Sequence, residues 1–252
     1  MFSLCIPTLD RYDNFLSKNL IKYLENKNIS EIIICDENGN DVNKIIKNFN
    51  SKKLKLFINE NKLGAFKNKL KCLSLASNEW IALIDSDNFA NNDYFDTAID
   101  YINNLKKSVN KNKIMLYPSF AKPNFNISAI SDKILHFRNN KHFSKNDIHN
   151  LTILSNLGNY IINKKLINNI NLSIESEYNQ DCGPYDGVYL NCLLFEQKNA
   201  EIHIVKNMHY EHIHHDSNTY NLTSHNYINY YKYIYTRYFN LINISTDENK
   251  II

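Results

Sequence analysis

The 252-residue chain contains few of the residues that interrupt regular structure, with only 5 glycines and 4 prolines. It has no apolar segment of the roughly 18 residues that a membrane-spanning helix needs, and its N-terminus lacks the basic and apolar regions of a signal peptide. The net charge is only +3, and lysine and arginine are spread along the chain, so no basic patch indicates a nucleic-acid partner. These absences predict a globular chain of one large domain, or of one domain with an appendage.

The five cysteines argue against a disulfide framework, because their number is odd and no two have C-x-x-C spacing. Cys5, Cys35 and Cys72 lie within apolar segments, where buried and reduced thiols are expected. A reducing compartment, the cytoplasm, is therefore favoured over secretion. The composition is rich in Asn, Lys, Ile and Tyr, as is typical of an AT-rich genome, and a viral genome of that kind would make the compartment the host cytoplasm.

Two common nucleotide-binding motifs, G-x-G-x-x-G and G-x-x-x-x-G-K-[ST], are absent. Strand-like and helix-like segments nevertheless alternate in the first half of the chain. This alternation predicts βαβ units and a mostly parallel sheet flanked by helices, an α/β fold. The predicted strands cover 2–6, 31–35, 54–58 and 80–84, and the predicted helices cover 11–26, 42–49 and 66–73.

The second half of the chain has a weaker pattern. Positions 118–150 look irregular and are expected to hold a loop that contacts a second substrate. In the tail, Tyr227, Tyr231 and Tyr238 recur at helical spacing, which predicts a packing helix and is compatible with a homodimer or membrane contact. Helices at 94–107, 164–170 and 186–197 and strands at 113–117, 156–162 and 201–205 complete the prediction.

The segment Trp80–Asn88 joins an apolar strand directly to the triplet Asp85-Ser86-Asp87. In open α/β sheets, ligands bind beyond the carboxyl ends of the strands. Two carboxylates separated by one residue place hard oxygen ligands there, which suits Mg²⁺ or Mn²⁺ bound beside phosphate. Asp-x-Asp also occurs in ordinary solvated turns, so the surrounding residues must decide its role.

Four stretches in this order resemble the GT-A glycosyltransferases, and within them the inverting family 2 type. They cover roughly the first 100 residues and are 6–11 (I-P-T-L-D-R), 32–38 (I-I-I-C-D-E-N), 62–68 (K-L-G-A-F-K-N) and 83–88 (L-I-D-S-D-N). The resemblance implies a Rossmann-like GT-A domain over 1–222, with a nucleotide-sugar-binding half (1–105) and an acceptor half (106–222), followed by a helical tail (223–252). It implies transfer of a sugar from a UDP-sugar donor to a glycan hydroxyl, with inversion and with Mn²⁺ or Mg²⁺.

The resemblance also implies roles for residues of the first half. Asp36 would accept a hydrogen bond from a pyrimidine ring, Asp85 would accept one from a ribose hydroxyl, and Asp87 would hold the metal. Asp36 is equally a turn former, Thr8 a helix cap, and Lys62 an ordinary solvated side chain. The expected donor-binding residues are Pro7, Thr8, Asp10, Arg11, Asp36, Lys62, Asn68, Asp85 and Ser86.

Asp186 opens the predicted helix 186–197, a placement that resembles the "ED" motif whose Asp acts as the catalytic base. An Asp at the start of a helix is also a common N-cap. Asp181 is the rival base. Tyr185 departs from the family pattern, because an acidic residue usually stands before the Asp.

Four histidines cluster between positions 209 and 215. In the family, a histidine after the strand that follows the "ED" helix completes the metal coordination, and His212 fits that position best, with His214 second. Asp85 is a further candidate ligand. Alternatively, His209, His212 and His214 bind zinc on their own, or the segment is a polar loop without a metal.

Two other functions compete with sugar transfer. A haloacid-dehalogenase-type phosphatase also ends a strand with Asp-x-Asp, but its motif strand normally comes first and Thr or Val normally follows at the fifth position. Here Phe89 holds that position, on about the fourth strand. The other alternative is a degenerate GT-A domain that binds a glycan or a partner without turnover.

Overall fold

The structure is a computed structural model that describes residues 1–123, 125–136, 145–168, 170, 185–197 and 200–216. The rival base Asp181 and the tail 223–252, with its predicted packing and dimer contact, lie outside these residues.

The first half is a regular alternation of strands and helices, as its hydrophobic pattern predicts. A five-residue π-helical turn, Tyr12–Leu16, leads into the first α-helix. The elements are β1 (Phe2–Thr8), α1 (Ser17–Glu25), β2 (Ile29–Asp36), α2 (Asn40–Asn48), β3 (Leu54–Ile58), α3 (Ala65–Ser74), β4 (Trp80–Leu83) and α4 (Asn92–Asn104).

The second half is more irregular and adds strands to the same sheet. Its elements are β5 (Ile114–Lys122), β6 (Phe125–Asn126), β7 (Ile134–Leu135), α5 (Lys145–Ser155), β8 (Tyr160–Asn163), α6 (Lys164–Asn168), α7 (Tyr185–Phe195) and β9 (Glu201–Glu211), with short 3₁₀ turns at Lys111–Lys113 and Ser128–Ile130.

Within the described residues, nine strands form one sheet in the order β3-β2-β1-β4-β8-β5-β9-β7, with β6 paired to β5. Strands β1 to β4 are parallel, β8 is antiparallel to both of its neighbours, and β5 and β9 are parallel to each other. Because β8 reverses the direction once and β5 reverses it back, the carboxyl ends of β1, β2, β4, β5 and β9 all lie at one edge. This edge is where an open α/β sheet binds its ligands.

The central strands are buried on both faces, which explains their continuous apolar sequence. All seven residues of β1 and all four residues of β4 are buried. Parallel strands covered by helices on both sides need apolar residues at every position, not at alternate ones. Cys5, Cys35 and Cys72 are buried free thiols, as the sequence predicts.

The strand β1 is longer than predicted, because it continues through Pro7 to Thr8. Its pairing with β4 ends where Cys5 lies opposite Leu83, and the Ile84 amide donates to the Cys5 carbonyl. Pro7 has no N–H with which to extend this ladder. From there β1 keeps only its pairing with β2, so an interior proline is tolerated.

The strand β9 also runs past its predicted end, to Glu211. It pairs with β5 from Ile114 opposite Glu201 to Lys122 opposite Glu211, with one register shift. The polar pair Lys206-Asn207 masks this continuation in the sequence, and Asn207 adopts a positive φ of 64°. The segment 118–150 is not wholly irregular, since it contains the end of β5, two short strands and the start of α5.

Among the described residues, no helix is long and apolar enough to cross a membrane.

Candidate active site

The triplet Asp85-Ser86-Asp87 follows β4 at the carboxyl edge of the sheet, in a turn closed by a hydrogen bond from the Asn88 amide to the Asp85 carbonyl. The next residue, Phe89, exchanges two backbone hydrogen bonds with Glu211 at the end of β9. The Asn88 side chain then accepts from the Ile213 amide at 3.1 Å. These contacts bring the histidine segment against the triplet, 125 residues away in sequence.

Asp85 is held by a lysine that the sequence analysis did not single out. The Nζ atom of Lys69, on α3, lies 2.8 Å from Oδ1 of Asp85. On the other side, Asn159 accepts a hydrogen bond from the Asp85 amide at 2.7 Å. Asp85 therefore has a defined orientation at the end of β4, because Lys69 of α3 and Asn159, just before β8, both contact it.

The same lysine contacts Asp186, in the first turn of α7. Lys69 Nζ lies 2.7 Å from Oδ2 of Asp186, while Oδ1 accepts from the Gly187 amide at 2.6 Å. Burial raises the pKa of the Asp186 carboxyl, and the nearby Lys69 opposes that rise. Burial alone would lower the pKa of Lys69, but Asp186 and Asp85 outweigh it, so that the pKa rises and the ammonium stays charged.

Two glycines make room for this arrangement. A Cβ atom on Gly158 would lie 2.6 Å from Oδ2 of Asp85 and 3.5 Å from Nζ of Lys69. Gly187 faces Gly158, but among the described residues a Cβ there would meet only the Gly158 Cα, at 3.8 Å. A side chain at position 158 is therefore incompatible with the observed place of Asp85, whereas one at 187 makes an ordinary contact.

Asp87 has a different set of neighbours. Its Oδ2 lies 3.0 Å from Nε2 of His215 and 3.7 Å from Nε of Arg11. The ring of Phe15 packs against His215 with centroids 4.6 Å apart. The histidine in contact with Asp87 is thus His215, and the function of His212 as a metal ligand stays a prediction.

His212 and His214 lie beside each other, with ring centroids 4.7 Å apart. Burial and the neighbouring His214 lower the pKa of His212, which favours the neutral imidazole. Asp85 and Asp87 act in the opposite direction. Both aspartates are thus close enough for their negative charge to raise the pKa of His212.

Asp36 lies at the end of β2, but its carboxylate serves the helix that follows. The side chain is fully buried, and its oxygens accept from the Val42 amide at 2.9 Å and the Asn38 amide at 3.2 Å. Burial raises the pKa of Asp36, and these amides oppose the rise. The geometry gives Asp36 a capping function for α2 and does not support the predicted contact with a pyrimidine base.

The next residue, Glu37, uses only one of its two carboxylate oxygens in hydrogen bonds with the described residues. One oxygen, Oε2, accepts from the Leu63 amide at 2.8 Å. The other, Oε1, is buried and has no hydrogen-bond partner among the described residues. Glu37, and not Asp36, therefore has a carboxylate oxygen that can accept a hydrogen bond from a ligand.

The loop after β1 is built around Asp41. Thr8 Oγ1 donates to Asp41 Oδ2 at 2.5 Å, and the amides of Arg11 and Tyr12 donate to the same carboxylate. Thr8 and the following loop are thus fixed by α2. Asp10 is exposed at a positive φ of 55°, and hydrogen bonds from Asn40 and Asn38 lower its pKa.

The remaining predicted donor residues lie in separate places. Asn68 is buried in α3 and joins β2, donating to the Cys35 carbonyl at 2.9 Å and accepting from Asn59 at 3.0 Å. Ser86 is buried within the triplet, whereas Lys62 is exposed between β3 and α3. Asn68 therefore has a clear structural function, and the binding functions of Lys62 and Ser86 stay predictions.

The profile described as "Glycosyl transferase family 2" matches residues 3–166, well over half of the chain. The chain belongs to glycosyl transferase family 2. The match argues against the alternative of a haloacid-dehalogenase-type phosphatase. The sheet with its flanking helices is that of a GT-A glycosyltransferase, as predicted.

Solved structures of S. aureus TarS share this fold. The complex of TarS 1-349 with UDP-GlcNAc matches with a TM-score of 0.62 at 14% identity, covering 86% of this chain and 60% of that one. The complex with UDP matches with a TM-score of 0.57 at 15% identity, covering 85% of this chain and 61% of that one. The chain thus spans about three fifths of the TarS fragment, and at this identity the likeness concerns the fold alone. No curated protein sequence matches the chain significantly.

Two residues of the candidate site, Asp87 and His215, are of the types that bind a divalent cation. Asp87 and His215 bring a carboxylate oxygen and an imidazole nitrogen together at the sheet edge. Mg²⁺ commonly takes only one or two carboxylates from the protein and its other ligands from water and phosphate. Within the described ranges no three His, Cys, Asp or Glu side chains are grouped to hold a metal, and His209 stacks on Phe120, so the independent zinc site is not formed.

Sequence reasoning missed Lys69, although a signal was present. Lys69 lies on the apolar stripe of α3, between Phe66 and Leu70, where a charged residue has to be buried. A lysine on the buried face of an amphipathic helix needs an acidic partner. The partner on α7 could not be predicted, because nothing in the local pattern places α7 beside α3.

Proposed function

We propose that the protein transfers a sugar from a UDP-sugar donor to a hydroxyl group of a glycan acceptor, with inversion at the transferred carbon. One observation carries the proposal: Asp85, from the donor half, and Asp186, from the acceptor half, lie on either side of a single ammonium at the ligand-binding edge of the sheet. A sugar transferase needs these two groups together, one on the nucleotide sugar and one on the incoming hydroxyl.

On the donor side, Asp85 accepts from a ribose hydroxyl and Glu37 Oε1 accepts from the pyrimidine N–H. The unpartnered, buried Glu37 oxygen supports this assignment, since a buried acceptor without a partner is unfavourable until a ligand supplies a donor. UDP as the nucleotide is supported by the TarS complexes with UDP and UDP-GlcNAc, whose fold this chain shares.

The diphosphate lies beside Asp87, where Arg11 and His215 supply positive or polar groups. Asp87 would hold the metal together with a histidine, either His215, which contacts it here, or His212 as the sequence predicts. When bound, Mn²⁺ or Mg²⁺ supplies positive charge beside the departing diphosphate.

Asp186 is the catalytic base. A sugar hydroxyl is a weak nucleophile at neutral pH, and a carboxylate within hydrogen-bond distance that takes its proton lowers the barrier. Lys69 and the Gly187 amide hold the Asp186 carboxylate, so that its orientation is set before the acceptor arrives. Attack from the Asp186 side, opposite the leaving diphosphate, inverts the configuration.

Calorimetry with UDP, with and without Mn²⁺, tests donor binding. The wild-type protein should bind UDP more tightly with Mn²⁺, and Asp87→Ala should remove that difference. Asp93→Ala is the matched control, because Asp93 is an exposed aspartate in the first turn of α4 without a role in the site. A wild-type protein that shows no metal-dependent affinity for UDP would overturn the proposal.

A panel of nucleotide sugars, each tested for hydrolysis and for transfer to glycan acceptors, identifies the donor. Glu37→Gln should weaken UDP binding without unfolding the protein. UDP binding without turnover of any donor would instead indicate a non-catalytic binding module.

A further inference from the structure

Lys69 is a fully buried ammonium whose two ion pairs join separate parts of the chain. It belongs to α3, while its partners lie after β4 and at the start of α7. Only 6% of its side chain is exposed, and its N···O distances to Asp85 and Asp186 are nearly equal, 2.8 and 2.7 Å. No other residue in this region contacts both carboxylates among the contacts that the structure describes.

This arrangement is poorly explained by stability alone. Burying a charge is costly unless it is paired, and well-packed apolar side chains of similar volume are often as stable as a buried ion network. Lys69 also leaves an imbalance, one cation between two carboxylates. The neighbouring positions on α3, Phe66 and Leu70, show that this face of the helix otherwise takes apolar residues.

The surroundings restrict the three groups further. The absence of a side chain at Gly158 allows Asp85 to lie close to the backbone before β8, since an added Cβ would be 2.6 Å from Oδ2 of Asp85. Asn159 holds the Asp85 amide, and the Gly187 amide holds the other oxygen of Asp186. Among the described residues, Lys69 is thus the side chain that connects the two carboxylates.

We propose that Lys69 is a positioning residue that couples Asp85 on the donor side to Asp186 on the acceptor side, so that both are aligned for the same transfer step. The inference rests on the function proposed above. Lys69 itself touches neither the sugar nor the nucleotide. Its effect on the reaction passes through Asp186, whose carboxylate it keeps aimed at the place of the incoming hydroxyl.

The test compares Lys69→Met with Lys53→Met, both in the full chain. Lys53 is a matched control, because its Nζ also makes two contacts, with the carbonyls of Leu24 and Asn26 at 2.8 Å each, far from the carboxyl edge. Lys69→Met should lower kcat about 100-fold, the effect expected when a reacting group is misplaced by about 1 Å. UDP affinity should change much less than kcat, and Lys53→Met should leave kcat within about twofold.

A double-mutant cycle separates positioning from a general loss of structure. Because Lys69 acts through Asp186, adding Lys69→Met to Asp186→Asn should lower the residual transfer by less than about threefold. A loss that multiplies fully in the double variant would show independent functions and overturn the inference. Lys69→Gln, which keeps a hydrogen-bond donor, provides the same comparison if the methionine variant does not fold.

The two proposals can fail separately. If the wild-type protein binds UDP and transfers sugar, but Lys69→Met behaves like Lys53→Met, then only the positioning function of Lys69 is wrong. If the wild-type protein neither binds UDP nor turns over any donor, the proposed function fails and the inference fails with it.

Discussion

The buried carboxylates at the two edges of the sheet, where the strands begin and where they end, have pKa values shifted in opposite directions. At the amino edge, Glu31 accepts from Ser3 Oγ at 2.5 Å, from the Ser77 amide at 2.6 Å and hydroxyl at 2.7 Å, and pairs with Lys55 at 2.6 Å. At the carboxyl edge, Asp85 and Asp186 share one lysine. Burial acts to raise the pKa of Glu31, but its partners outweigh burial and lower the pKa to about 2, whereas the pKa of Asp186 is raised by burial despite Lys69.

The difference separates stability from reactivity. Glu31 accepts from Ser3 and Ser77 and pairs with Lys55, and these partners stabilise its charged form. Asp186 is held in place but remains relatively basic, because burial disfavours its charged form. A group that has to accept a proton during the reaction is better served by the second environment than by the first.

The largest expected effect comes from exchanging each carboxylate for its amide. Asp186→Asn should reduce transfer by about 10²- to 10⁴-fold, the usual range for loss of a general base, while UDP binding and the melting temperature are retained. Glu31→Gln should do the reverse, with a lower melting temperature and normal kcat per folded molecule. Steady-state kinetics and thermal unfolding of both variants measure this, and normal transfer by Asp186→Asn would place the base elsewhere.

The next effect tests the space at the carboxyl edge with a pair of glycines. Gly158→Ala should displace Asp85 and lower transfer about 100-fold, with a loss of about 1–3 kcal/mol in unfolding free energy from overpacking. Gly187→Ala is the control, since its Cβ has room and alanine favours the helix, so that unfolding free energy should rise by about 0.5–1 kcal/mol. Equal effects of the two changes would contradict the described packing of Gly158 against Asp85.

A smaller effect concerns pH and the amino edge. Because the pKa of Glu31 falls from its usual 4.5 to about 2 in the folded protein, its stabilisation is complete above about pH 4.5 and is lost as the pH falls toward 2. Glu31→Gln should therefore lower the unfolding free energy by about 2 kcal/mol at pH 7 and flatten its decrease between pH 4.5 and 2. Denaturant unfolding at several pH values checks both the size and the direction.

The smallest effect is expected at Tyr160, whose hydroxyl is buried without a hydrogen-bond partner among the described residues. Its ring stacks on Tyr117 with centroids 5.1 Å apart, and phenylalanine keeps that contact. Tyr160→Phe should change the unfolding free energy by no more than about 1 kcal/mol, with stabilisation favoured, because no hydrogen bond is lost. A large destabilisation would mean that the hydroxyl has a partner, such as a water molecule shared with the Lys69 network.

Much of the fold could be predicted from local patterns, because the first half of the chain has a regular hydrophobic pattern. Each strand there is a short apolar run followed by turn formers, and each helix has an apolar stripe, so the period of the sequence predicts the element. The same reasoning was incomplete at β9, where Lys206 and Asn207 interrupt the apolar run but the pairing with β5 continues. Backbone pairing with a distant strand decided that element, and local composition did not.

The site was predicted only in part for a similar reason. The position of Asp85 and Asp87 at the end of a buried strand follows from the sequence, since the apolar run ends there. The direction in which a carboxylate turns does not. Asp36 accepts from the Val42 amide of α2, whereas the next residue, Glu37, has an oxygen with no hydrogen-bond partner among the described residues.

The alternation of strands and helices, the triplet after β4 and the resemblance to family 2 depend on residues close together in the chain, so they can be predicted from the sequence. Three contacts depend on the folded chain: Lys69 lies between Asp85 and Asp186, Gly158 leaves the space for Asp85, and His215 is the histidine beside Asp87. These contacts join residues that are 16 to 128 positions apart in the sequence, and they form because the sheet brings the carboxyl ends of distant strands to one edge.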